Sequence, residues 1–202
     1  PKTRIRSRRN RRSWDRSTTS FERLESRELL RAAELSWADT SQLTLSFAQD
    51  GTMIAGEPSE LHAMFDPIGR RSEWQSAILR GFQTWTEQTG SNVGVVPESA
   101  AKLPFGVPGP RTGDLRFGDI RIGARPLSSN VKAIAVAHNT IVSGTWSGDV
   151  IFNSATTFEN LEELYRVALH EAGHVFGLEN NEHPRSPMND ESRSLIPTEG
   201  DI

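Results

Sequence analysis

Residues 170–188, HEAGHVFGLENNEHPRSPM, restrict what this chain can become more than any other stretch. On a helix, residues four apart project from one face, so His170 and His174 can direct both imidazoles at a single metal ion. Glu171 falls off that ligand face but stays beside it, close enough to take a proton from a metal-activated water, which is the division of labour of a zinc hydrolase. Gly177, three residues past the second histidine, is free to take positive φ and turn the chain back beneath the metal. Upstream, Asn160 and Glu163 are spaced like a capping box. Leu161, Leu164, Ala168, Leu169, Val175 and Phe176 form an apolar stripe, so the histidines are expected on a firmly packed helix.

The longer pattern of His170, Glu171, His174, Gly177, Leu178 and Met188 resembles the metzincin zinc endopeptidases, and its spacing to the methionine resembles the matrixin branch. The resemblance implies an α+β, zincin-like fold: a twisted mixed sheet with a backing helix, and an active-site helix followed by a Met-turn. It places Met188 under the imidazoles as an apolar floor, with Ser186 and Pro187 suited to the turn. It also implies Zn2+ and a peptide substrate bound as an extended strand. The chain departs from the family at the third ligand, because the family's histidine position is Asn180 here. An amide oxygen is a poor zinc donor, and His183, three residues on, is the alternative. Asn189 stands where some metzincins carry a tyrosine.

The rest of the catalytic domain, expected over residues 41–202, reads as short strands around one helix. Leu43, Leu45 and Phe47 alternate with Thr44, Ser46 and Ala48 as in a half-buried strand closed by Asp50-Gly51. Gly56, Pro58, Pro67 and Gly69 mark an irregular segment, in which His62 reads as a surface residue. Trp74, Ala77, Ile78, Phe82 and Trp85 predict a helix over residues 72–88 whose stripe packs on a sheet. Further strands are expected at 93–96, 115–122 and 133–137, separated at 104–113 by a Pro- and Gly-rich loop. The resemblance implies that the strand at 133–137 forms the rim of the cleft, with which substrate pairs as an added strand. His138 after it reads as an ordinary histidine rather than a structural metal ligand. Residues 148–153 resemble a family strand whose aspartate, here Asp149, helps to hold Ca2+. Residues 197–202 read as the start of a helix, so a C-terminal helix is expected to follow.

Charge divides the chain. Residues 1–31 hold 11 of 23 basic and 4 of 26 acidic side chains, leaving a basic arm before an acidic body. The acidic body and the absence of regularly spaced aromatics in the arm argue against nucleic acid. Residues 1–40 are expected to be a disordered basic leader, since FERLESRELL at 21–30 resembles the leader of certain large bacterial exported surface proteins. That points to an extracellular or cell-surface location. No apolar run is long enough for a transmembrane helix. The chain has no cysteine, so thiolate latency of the matrixin kind has no donor within it. A zinc-dependent endopeptidase is the reading expected. Its rival is a catalytically silent metzincin-fold binding module that has lost the third ligand.

Overall fold

Five strands and two long helices build the body, as seen in a computed structural model that describes residue 37 and residues 41–89, 91–128, 130–137, 144–198 and 200–201. Apart from Trp37, the basic leader lies outside the described residues, and so does His138. The strands are β1 (Leu43–Phe47), β4 (Val93–Val95), β5 (Ile120–Arg125), β6 (Ala133–Ala135) and β7 (Val150–Asn153). They form one sheet in the order β4-β1-β5-β7-β6. Every pairing is parallel except β6 with β7, which runs antiparallel with Ala135 opposite Val150. The architecture is therefore mixed α/β with a mostly parallel sheet and β6 at one edge. A small hairpin, β2 (Met53–Ile54) with β3 (Glu57–Pro58), and a short helix α1 (Leu61–Phe65) occupy the segment read as irregular. The carboxylate of Asp50 accepts from the backbone N–H of His62 and Ala63, at 2.8 and 3.0 Å, and so starts α1. His62 is half-buried beside Trp74 rather than fully on the surface.

The sheet is covered on both faces, which corrects the half-buried reading of β1. Leu43 and Leu45 point into the main core, while Ser46 and Ala48 are equally enclosed on the other side. The hairpin residue Ile54 and the loop residue Phe105 supply that second cover, and alternation cannot report a strand whose polar face is also sealed. The cover includes a buried ion pair. Arg121 donates through Nε and one terminal nitrogen to the two oxygens of Glu98, at 2.8 and 2.9 Å. Its guanidinium lies between the rings of Phe105 and Phe117. The strand expected from residue 115 begins only at Ile120. Leu115 is solvent-exposed, and a Cβ at Gly118 would lie 2.6 Å from the Ser46 nitrogen, so the chain enters the sheet there by backbone approach.

Helix α2 (Arg71–Thr89) carries the predicted stripe, but its principal partner is helix α3 (Leu161–Val175) rather than the sheet. A Cβ at Gly81 would sit 2.8 Å from the backbone of Ala168 and Leu169, so only glycine lets the two helices approach this closely. Trp85 donates its indole N–H to the Leu169 carbonyl at 2.7 Å. Trp37 donates likewise to the Val175 carbonyl at 3.0 Å, satisfying a carbonyl at the open end of α3. Trp37 itself belongs to the core.

Candidate functional site

The geometry of the site follows from how α3 starts and stops. Asn160, in extended conformation, accepts from Glu163 N–H at 2.9 Å, while Glu163 reaches back to the N–H of Glu159 rather than to that of Asn160. At the other end Gly177 takes φ +90. Its N–H bonds the His174 carbonyl and the Leu178 N–H bonds the Gly173 carbonyl, the paired bonds of a Schellman ending that only a residue tolerant of positive φ completes cheaply. This turn delivers the Leu178 carbonyl to His174 Nδ1 at 2.8 Å. The following loop brings the Pro187 carbonyl to His170 Nδ1 at 3.0 Å.

Those two contacts decide the tautomers. A carbonyl only accepts, so each Nδ1 carries its proton, and in the neutral rings each Nε2 is left with a bare lone pair. The two Nε2 atoms lie 3.1 Å apart. Burial and the adjacent His170 push the His174 pKa down, which favours its neutral form. Two lone pairs at that distance repel unless something positive stands between them. The donor set therefore fits a soft-to-borderline cation. The backbone carbonyls play the part that outer partners play for metal-bound imidazoles.

Glu171 is 7% exposed. Its carboxyl accepts from the N–H of Ala135 in β6, yet burial first, and the charge of Asp190 second, raise its pKa from 4.5 to about 8. Val136 N–H and C=O both bond toward β7, so Ala135 turns its own backbone groups to the sheet's outer edge. Glu171 thus sits where the helix meets that edge.

Met188 is buried at 1% exposure, and a Cβ on Gly173 would overlap its sulfur. The methionine therefore packs on the helix between the two histidine turns, as an apolar floor. Its turn is tied down by Ser186, which accepts from Met188 N–H at 3.0 Å and hydrogen-bonds the Asp201 carboxylate. Burial pushes the Asp201 carboxyl up, but bonds from Ser186, Thr198 and Asn181 more than offset this and hold it below its usual range. A folded-state pKa below the unfolded one contributes stability that is complete above the unfolded value and lost as pH falls through the folded one. Asp201→Asn is accordingly expected to cost about 1 to 3 kcal/mol at pH 7. In thermal melts at stepped pH, the gap from wild type should narrow as pH drops below 3.8.

The candidates for the third donor fall in different places. The Asn180 side chain lies within hydrogen-bonding reach of the His174 ring. His183 is exposed, accepts from Arg185 N–H at 3.3 Å, and lines a cavity of about 650 Å³ with Arg185, Ile196 and Thr198 that includes neither ring of the pair. Among the described residues, no three His, Cys, Asp or Glu side chains are already gathered in a form that could hold a metal ion. Asp149 is fully enclosed, with one oxygen taken by Arg121 N–H and the other without a partner among the described residues. Asp190 escapes any periodicity argument. Its carboxylate oxygen lies 3.3 Å from His170 Nε2, and nothing in the run N-D-E-S distinguishes it from solvated turn chemistry. No protein-family model matches the chain, and a search of curated proteins finds no match.

Proposed function

We propose that this chain is a zinc-dependent endopeptidase of the metzincin type. The observation that carries the reading is the pair of bare Nε2 atoms 3.1 Å apart, each imidazole locked by a backbone carbonyl through its other nitrogen. His170 and His174 would hold the ion. Zinc bound there supplies Lewis acidity toward a carbonyl and acidifies water, and its charge would draw the raised Glu171 carboxyl back toward the ionised form. Glu171 then accepts a proton on a carboxylate oxygen and returns it to the leaving amine. Its bond to Ala135 keeps the carboxyl beside the edge of β6, where an added peptide strand would present its backbone. Met188 and Gly173 keep the floor apolar and the helix turn rigid.

The silent-module reading is favoured by one specific observation, the lack of a ready-made three-donor group among the described residues. Zinc binding separates the two. Chelator-stripped protein is expected to take up one zinc per chain. It should gain about 2.7 kcal/mol of stability at a hundredfold excess of zinc over its dissociation constant, and to cleave an unfolded protein in a chelator-sensitive way. His170→Ala and His174→Ala should lose both effects. Wild type that melts at the same temperature with and without zinc, and cleaves nothing, would leave the binding module standing.

A further inference from the structure

We infer that Asp190, rather than Asn180 or His183, is the third protein ligand of the metal held by His170 and His174. The inference rests on the zinc-site reading above and extends it to the donor that the family pattern does not supply. Donors sharing one tetrahedral ion at bonds of about 2.0 to 2.1 Å lie about 3.3 Å from each other. His170 Nε2 is 3.1 Å from His174 Nε2 and 3.3 Å from Asp190 Oδ1, so two of the edges of such a site are already present. The same carboxylate is near enough to act electrostatically on Glu171 and on His174.

Chemistry ranks the three candidates in the same order. A carboxylate is an ordinary zinc donor in a site with two imidazoles, whereas a neutral amide is not. His183 is of the right type but turns toward Arg185 and the cavity beyond the Met-turn. The backbone around Asp190 is held by consecutive turns: Asn189 N–H bonds the Ser186 carbonyl, and Ser192 N–H bonds the Asn189 carbonyl. Its side chain is 74% exposed, and the remaining edge of the site, from the carboxylate to His174, would be closed by rotation of that side chain on binding the ion. Met188 thereby links two jobs, since the turn that seats it under the helix also delivers the residue two positions later to the ion.

The full chain, stripped with chelator and titrated with zinc, tests this. Asp190→Asn is expected to weaken zinc binding at least a hundredfold. Asn180→Ala and His183→Ala should stay within about threefold of wild type, and the metal-free melts of all three should match it. A charge near the site could weaken binding without touching the ion, so the decisive variant is Asp190→Cys loaded with cobalt. The chain has no cysteine, so a thiolate-to-cobalt charge-transfer band in the near ultraviolet can arise only from position 190. The band is expected. Its absence from a cobalt-loaded variant, or an Asp190→Asn protein that binds zinc as wild type does while His170→Ala does not, overturns the assignment and leaves the two-histidine site intact. A wild type that binds neither metal removes the site itself.

Discussion

Glu171→Gln is expected to lower peptide hydrolysis about 10² to 10⁴-fold, the usual contribution of a positioned general base, while zinc stoichiometry stays at that of wild type. Glutamine keeps the shape and can keep the bond from Ala135 N–H, but it cannot take a proton. The same change should stabilise the metal-free protein. Burial and Asp190 raise the Glu171 pKa from 4.5 to about 8, so the folded state holds a proton that the unfolded state has released between those values. Stability of the wild type therefore falls as pH rises through that window. Melts in the presence of chelator should show a gap favouring the variant that opens above pH 4.5 and levels off above about 8, reaching on the order of a few kcal/mol. Undiminished hydrolysis in the variant would dismiss Glu171 as the base, and a gap independent of pH would contradict its burial in the neutral form.

The second large effect lies on the opposite face of the sheet. Glu98→Ala should cost about 3 to 5 kcal/mol in urea unfolding, because it strands the Arg121 guanidinium where it cannot reach water. The side chains of the pair are 1% and 3% exposed, and Arg121 also donates to the carbonyls of Leu103 and Pro104. Replacing both partners, as in Glu98→Leu with Arg121→Met, should recover most of the loss, since no unpaired charge then remains buried. A loss below about 1 kcal/mol for the single variant would mean that the cover over this face opens readily to solvent.

How much of this could be read in advance depends on whether the determining contact is local. Helix α3 and its glycine ending follow from periodicity, a capping pair and the φ requirement at Gly177, all of which act within a turn or two of chain. Helix α2 was equally legible in extent, but its partner was not. A stripe of Trp74, Ala77, Ile78, Phe82 and Trp85 announces burial, and only the close approach at Gly81 reveals a second helix as the surface met. Alternation at Leu115 and Phe117 starts the strand Ile120–Arg125 too early, because its entry into the sheet depends on the close approach of Gly118 to the backbone of β1. Asp190 and Asp201 were beyond reach for the same reason. Each acts through a partner brought near by folding, and each stands among polar residues with no period. The second cover of the sheet, built from Ile54, Phe105 and the Arg121–Glu98 pair, comes from segments that look like plain loop.

Both imidazoles are oriented by oxygens of the main chain, those of Leu178 and Pro187. Such anchors have no codon of their own. A substitution at either position changes the side chain and leaves the acceptor where it was, so the orientation of the rings tolerates drift in the residues that provide it. What it does not tolerate is an altered route of the polypeptide. Insertions or deletions between 177 and 188 would rotate a ring where point changes would not, and a scan of loop length through that interval should be far harsher than a scan of residue identity.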